Sequence, residues 1–358
     1  MIDTSIQLPT SPAPIVIIGA GGIVRDAHLP AYAKAGFPVF GICNIDRPPA
    51  EALAKQYGIA NVFETVEQAV EAVPERCVFD IAIMSPQFAS TIAKLPDEAH
   101  VLLQKPMGDD PAMTREIAAV CRDKRLNLAV NCQLRYAPFV VAARHLIDAG
   151  HLGQLHHMEV HVEVNTPWHR FPNVVPLPRL EIQQHSIHYV DLLRSFFGDP
   201  SRVWCQTVGN PAQPKLAATR TTAMLDFGDD VQATIFTNHG HIFGTKHQQS
   251  FIKWEGTRGA IKATMGLLQN YPDGVPDAFD YCLLDENGDG EWLSASLQDS
   301  WFPDAFIGTM ADVQRHLEGS LTAMPTDWRD TLRTMACVDA AYASDASGGV
   351  VPRYDDSA

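Results

Sequence analysis

The stretch "IVIIGAGGIVRDAHLPAY", residues 15–32, decides how this chain is read. Ile15, Val16, Ile17 and Ile18 form a run apolar on both faces, Gly19, Gly21 and Gly22 follow at once, and a helix-period segment comes next. The first glycine permits a tight turn, the second lets backbone N–H groups approach a pyrophosphate, and the N-terminus of the following helix favours that negative charge. The third small residue of such turns is Val24 here, which predicts looser packing of helix on strand. A GxG alone is weak; its place after the first strand of a βαβ array gives it weight. The backbone of Gly19, Gly21, Gly22 and Ile23 is the expected dinucleotide cradle.

Working outward, "PVFGICN" (38–44), "FDIAIMS" (79–85), "HVLLQ" (100–104) and "LNLAVNC" (126–132) are further apolar strands, with helix-period segments such as "PAEALAKQYG" and "PAMTREIAAVCRDK" between them. Strand and helix in alternation imply a doubly wound parallel sheet, an α/β Rossmann domain. At the end of the second strand an acidic residue would bond the ribose hydroxyls and repel a 2′-phosphate. The chain has "CNIDR" there: Asn44 is ambiguous, Asp46 favours NAD, and Arg47 could accept the phosphate of NADP. The balance leans to NAD.

After about residue 135 the period changes. In "HHMEVHVEVN", Met158, Val160, Val162 and Val164 share one face and His157, Glu159, His161 and Glu163 the other, the alternation of a half-covered sheet. Hairpins are expected over 222–238 and 250–264, and closing helices over 304–319 and 326–346. The expected organisation is a dinucleotide-binding domain at 1–134 and a substrate-binding, oligomerising α+β domain with a largely antiparallel open sheet at 135–358.

A formal charge of −15 excludes nucleic acid and anionic membrane surfaces as expected partners, because both need clustered Lys and Arg. Seven scattered cysteines without a CxxC read as reduced core thiols, and the first residues lack a basic, then apolar, signal pattern. A cytoplasmic protein is expected. The fourteen histidines raise the question of metal. Neither His157, Glu159, His161 and Glu163 on one strand face nor His185 and His188 on a helix has a recognised zinc spacing, so no metal site is expected.

In "HVLLQKPMGDDP" (100–111), Lys105 ends an apolar strand and Pro106, which could follow a cis bond, fixes the turn. The lysine is either a solvated stem or a group at the rim where ligands of doubly wound sheets collect. A second cluster is "EIQQHSIHYVDLLRSFFGDP" (181–200), a helical pattern that aligns Gln184, His188, Asp191 and Ser195 on one stripe, with His185 nearby. Between the strand at 154–165 and this helix lies "NTPWHRFPNVVPLPRL", stiffened by four prolines. Its Trp168, Arg170 and Arg179 suit a sugar ring or acidic sugar, or alternatively an arm between subunits.

Taken in order, "GAGGIVRDAHLPAY", "FDIAIMSP", "QKPM", "VNCQLRYAP", "HSIHYVDLLRSFFGDP" and the closing "AAYASDASGGVV" resemble the glucose-fructose oxidoreductase and inositol dehydrogenase (Gfo/Idh/MocA) family. The resemblance implies cofactor contacts at Ser85, Pro86, Gln104 and Lys105, substrate contacts at Arg135, Gln184 and His185, and Lys105 and His188 as the catalytic pair. It implies NAD(P)-dependent dehydrogenation of a sugar, polyol or related hydroxy compound by a homodimer or homotetramer. Two departures stand out. The glutamate before the family's lysine is Gln104, and the aspartate four residues before its histidine is Gln184, with Ser186 for the intervening glycine. Glutamine can orient an imidazole but cannot stabilise imidazolium with a full charge. Either His188 works with another partner, His185 or Glu181, or proton transfer is altered. The alternatives are a dinucleotide-responsive regulator without turnover, since the family includes a transcriptional repressor, and an enzyme using its cofactor transiently for elimination or glycoside cleavage.

Overall fold

A computed structural model describes residues 2–349. The first half runs β1 (Ile15–Ile18), a π-helical turn (Val24–His28), α1 (Leu29–Ala35), β2 (Val39–Cys43), α2 (Arg47–Tyr57), β3 (Asn61–Phe63), α3 (Val66–Ala72), β4 (Val78–Ile81), α4 (Phe88–Ile92), β5 (His100–Leu103), α5 (Pro111–Asp123) and β6 (Asn127–Val130). Its six strands are ordered β3-β2-β1-β4-β5-β6, and every pair is parallel. The order reverses between β1 and β4, the switch point beside which ligands of such sheets bind. Local chemistry starts and stops the helices. Asp110 accepts from the N–H groups of Ala112 and Met113 at the start of α5, with Pro111 in its first turn, a cap worth about 1 kcal/mol. Gly58, at φ 68°, ends α2.

The second half runs α6 (Pro138–Asp148), β7 (Leu155–Glu163), a π-helical turn (Ile182–Ser186), α7 (Ile187–Phe197), β8 (Arg202–Val208), β9 (Arg220–Asp226), β10 (Gln232–Asn238), β11 (Gln249–Gly256), β12 (Gly259–Thr264), β13 (Ala278–Leu283), β14 (Trp292–Ala295), α8 (Ala305–Glu318) and α9 (Trp328–Ser347). Its eight strands are ordered β14-β13-β12-β11-β7-β10-β9-β8, antiparallel except for the parallel β7/β10 pair. Met158, Val160, Val162 and Val164 turn inward onto Trp254, Ile252 and Ile235, and α6 and α7 cover them. Each such side chain contributes roughly 1.5–3 kcal/mol by leaving water. On the outer face His161 stacks between Phe236 and Phe251, with ring centroids 4.7 and 5.1 Å away.

Three differences from the expectations matter. The three-residue edge strand β3 lies outside the apolar runs that predict the other strands of its sheet. The helix expected over 181–200 begins as the π turn, which changes how its early residues face the site. Finally, α8 and α9 lie beyond residue 135 yet return to the first sheet. Phe306 and Met310 pack with β1 and α1, while Trp328, Met335 and Val338 pack with β5, α5 and β6. The sequence motif "AAYASDASGGVV" closes α9, and its last two residues lie outside the described region.

Candidate active site

The glycine turn leaves the carboxyl end of β1. Gly19 has φ +121°, and a Cβ there would stand 2.2 Å from the Ala82 carbonyl oxygen, so only glycine lets β1 and β4 meet this closely. Gly21 faces open space, with nothing within 4 Å of the position its Cβ would occupy, and Gly22 is nearly as open. Ile23 leads directly into the π turn. Asn44 braces the loop by accepting from the Ala20 N–H at 3.2 Å and donating to the Asp46 carbonyl at 2.6 Å. Arg47 donates to Glu51 and Glu64 at 2.6 and 2.8 Å. Along the same rim, Ser85 donates to Asp109 at 2.5 Å, Pro86 opens the next turn, and the apolar side chains of Ile45 and Met84 are exposed.

Lys105 lies past the end of β5, behind a cis peptide to Pro106. Its ammonium donates to the Gln184 carbonyl oxygen on the π turn at 2.7 Å, so position 184 holds the lysine through its backbone. Burial pulls the Lys105 pKa down to about 8. The imidazole of His188, the second residue of α7, has the edge of Trp301 against it, with centroids 6.1 Å apart. Burial first, and the Lys105 charge second, hold His188 well below its usual pKa. The same causes, with His239 and His188 added, do so for His185. Around pH 7 the lysine is a cation and both imidazoles are neutral. That is a hydrogen-bond donor beside proton acceptors, the equipment for removing a hydroxyl proton.

Residues 14–132 match a family model described as the oxidoreductase family with an NAD-binding Rossmann fold, and residues 140–262 match the GFO/IDH/MocA C-terminal domain. The chain belongs to the Gfo/Idh/MocA oxidoreductase family. A D-apiose dehydrogenase of Paraburkholderia graminis is 24% identical over 94% of this chain and 88% of its own. An oxidoreductase from Agrobacterium radiobacter, solved in complex with NAD+, L-tartaric acid and magnesium, superposes with a TM-score of 0.78 at 20% identity, covering 95% of this chain and 98% of that one. The WlbA dehydrogenase from Bordetella pertussis, solved with NADH and UDP-GlcNAcA, superposes at 0.70 and 18% identity over 97% and 100% of the two chains.

Several residues matched to Gfo/Idh/MocA positions are engaged elsewhere. Gln104 points inward, its amide donating to His28 Nε2 at 3.0 Å and its oxygen accepting from the Lys105 N–H at 2.9 Å, so its side chain is not on the cofactor rim. Arg135 is locked by Asp191 through two bonds of 2.7 and 2.6 Å, with Asp330 and the Pro325 carbonyl taking its other donors. It fastens α7 to α9 rather than reaching toward substrate. The expected stripe splits accordingly, since Asp191 faces Arg135 and Ser195 accepts from Arg144. Arg179 pairs with Asp339 at 2.6 Å and lies over the Tyr342 ring, docked on α9. Trp168 is buried edge-on against His185 and His239, while Arg170 is exposed. Trp168 also lines a cavity of about 610 Å³ with His169, Pro172, Gln213, Lys215 and Leu216.

Four residues escaped the sequence reading. Gln183 donates across the cleft to the Gly108 carbonyl at 2.7 Å, tying the π turn to the lysine loop. His28 and Asp80 form a buried pair beneath Gln104, at 2.6 Å. His239, just past β10, stacks on His185 with centroids 4.5 Å apart. Neither His185 nor Glu181 hydrogen-bonds His188 among the described residues; Glu181 instead accepts from the Ser186 and Thr221 hydroxyls, with His239 Nε2 3.5 Å away. Among the described residues no group of three or more His, Cys, Asp or Glu side chains is arranged to hold a metal.

Proposed function

We propose that the chain oxidises a secondary hydroxyl of a sugar, polyol or related compound, with Lys105 and His188 as the catalytic residues. What carries this reading is the Lys105 ammonium past the end of β5, held at 2.7 Å on the Gln184 carbonyl of the turn that leads into His188, on the sheet rim where the glycine turn opens. The open Gly21 and Gly22 backbone would hold the pyrophosphate, and Asn44 and Asp46 the ribose. Ile45 and Met84 offer apolar surface to the rings. NAD is favoured over NADP because Arg47 is already paired with two glutamates and Asp46 is exposed.

When bound, NAD supplies the acceptor for a hydride from the substrate carbon. His188 takes the hydroxyl proton. Lys105 donates to the same oxygen, lowering the cost of negative charge there, and the carbonyl of Gln184 keeps the ammonium in place. Trp168 and Arg170 border the substrate side, a setting suited to a sugar ring, in keeping with the D-apiose and UDP-sugar relatives. The outer sheet face, with the Phe236, His161 and Phe251 stack at its centre, supports assembly of two copies through it. No helix among the described residues is long and apolar enough to cross a membrane. The free thiols of all seven cysteines support a reducing, cytoplasmic setting.

The test is a panel of aldoses, branched pentoses, polyols and sugar acids, each supplied with NAD and with NADP, followed by absorbance of the reduced nicotinamide. Stoichiometric reduction of NAD with one sugar class is expected. Binding of NAD and sugars without net reduction would replace this reading with a regulatory one.

A further inference from the structure

Gln184 removes the carboxylate that the resemblance leads one to expect four residues before His188, yet the site is not without one. Glu181 is 1% exposed, at the head of the π turn. One of its oxygens accepts from the Ser186 hydroxyl at 2.7 Å and the other from the Thr221 hydroxyl. His239 brings Nε2 within 3.5 Å of the same carboxylate, and its Nδ1 meets the Thr166 hydroxyl at 2.9 Å. No Lys or Arg pairs with Glu181 among the described residues. A buried carboxylate whose nearest cation-forming group is a histidine is expensive to keep unless it acts on something. Burial alone would raise its pKa; the His239 ring and the two hydroxyls outweigh that and leave it ionised.

His239 leads to the reaction centre. Its ring lies against His185, and the edge of Trp168 closes over both. His185 Nδ1 is buried with no hydrogen-bond partner, a proton site held ready and unused. The charged or titratable groups facing His185 are His239 from the end of β10, Lys105 from the β5 rim and His188 from α7.

We propose that His185 is a second acid/base group of this site, and that Glu181 and His239 are positioning residues supplying the negative charge that Gln184 cannot. This rests on the dehydrogenase reading above. As the substrate hydroxyl loses its proton to His188 and the C=O bond forms, with NAD, when bound, as the hydride acceptor, the proton passes on to His185 by way of water, since no hydrogen bond joins the two rings. There the Glu181 charge, acting through His239, stabilises imidazolium before release to water. The π turn makes this arrangement: Glu181 and Ser186 are five residues apart, one π-helical turn, and share a face.

The experiment is the pH dependence of kcat/KM for sugar oxidation in the wild type, in Glu181→Gln, and in Glu181→Gln combined with Gln184→Asp. A nearby negative charge raises an imidazole pKa, so Glu181→Gln should move the acidic limb down by about one pH unit and lower kcat about ten- to a hundredfold. KM for NAD should stay unchanged. Adding Gln184→Asp should move the limb back and recover about tenfold of the loss. An acidic limb unmoved in folded Glu181→Gln overturns the proposal. If Glu181→Gln does not fold, His185→Gln decides, because it leaves the carboxylate and its partners in place: a limb and kcat equal to wild type overturn the proposal as well. In either case an inactive Lys105→Met that still binds NAD keeps the dehydrogenase reading standing.

Discussion

Two buried polar clusters flank the reaction centre, one under Lys105 and one beside His188, and they are built differently. Under the lysine, Asp80 accepts from His28 Nδ1 at 2.6 Å and from the Tyr32 hydroxyl at 2.8 Å. His28 Nε2 then faces two amide donors, Gln104 at 3.0 Å and Asn131 at 3.4 Å, which requires the neutral tautomer with its proton on Nδ1. Thr309 of α8 donates to Asn131 at 2.7 Å, extending the network into the second half of the chain. Only Asp80 Oδ1 in this set has no partner. In the histidine-side cluster, His185 Nδ1, His239 Nε2 and Trp168 Nε1 all lack a hydrogen-bond partner. A satisfied network fixes a backbone; a partly satisfied one keeps donors and acceptors for something that arrives later. The lysine side therefore reads as scaffold and the histidine side as machinery.

Mutations should separate the two. The largest effect is expected at His188→Ala, with turnover falling about 10²- to 10⁴-fold while the protein melts as the wild type does and binds NAD normally. Steady-state kinetics beside thermal unfolding checks both halves. On the scaffold side the pattern should invert: Asp80→Ala leaves His28 without its carboxylate and should cost about 3 kcal/mol of stability, read by denaturant unfolding. Arg135→Met should behave like a scaffold change, costing on the order of 3 kcal/mol by stranding Asp191. An Arg135→Met protein of normal stability but raised KM for sugar would move that residue back to substrate binding.

Smaller effects sharpen the cofactor rim. Gly21→Val should fold, since its Cβ meets nothing, yet weaken NAD binding about tenfold or more, whereas Gly19→Ala should strain the β1–β4 contact itself. Calorimetric NAD titration and melting curves distinguish these outcomes. Lys105 should leave an alkaline limb in kcat/KM near pH 8. There the ammonium proposed to stabilise the substrate oxygen is lost as pH rises, well below the usual lysine range. Asp46→Ser should change least, raising use of NADP several-fold with no loss of stability.

The sequence shows the first sheet clearly because its strands are buried on both faces and stand out as apolar runs; β3 is missed because Asn61, Val62 and Phe63 are few and half-covered. Alternation also makes β7 and the two hairpins legible. Extended one step past β10, the same alternation would have found His239, since Ala233, Ile235, Thr237 and His239 all face inward. Asp80 carried a signal too, a lone acid inside "VFDI". The π turn left none, because a helical period fits it equally well. Arg135 and Arg179 show the limit of reading roles from residue type: a guanidinium announces a partner but not whether that partner is substrate, Asp191 or Asp339.

The central claim is that Lys105 sits against the reacting oxygen and serves chemistry rather than the fold. Single-turnover reduction of NAD, with sugar saturating, measured in the wild type and in Lys105→Met, tests it most directly. Rapid reduction is expected in the wild type and a loss of about 10³-fold in Lys105→Met, with NAD affinity unchanged. Equal rates in the two proteins would contradict it.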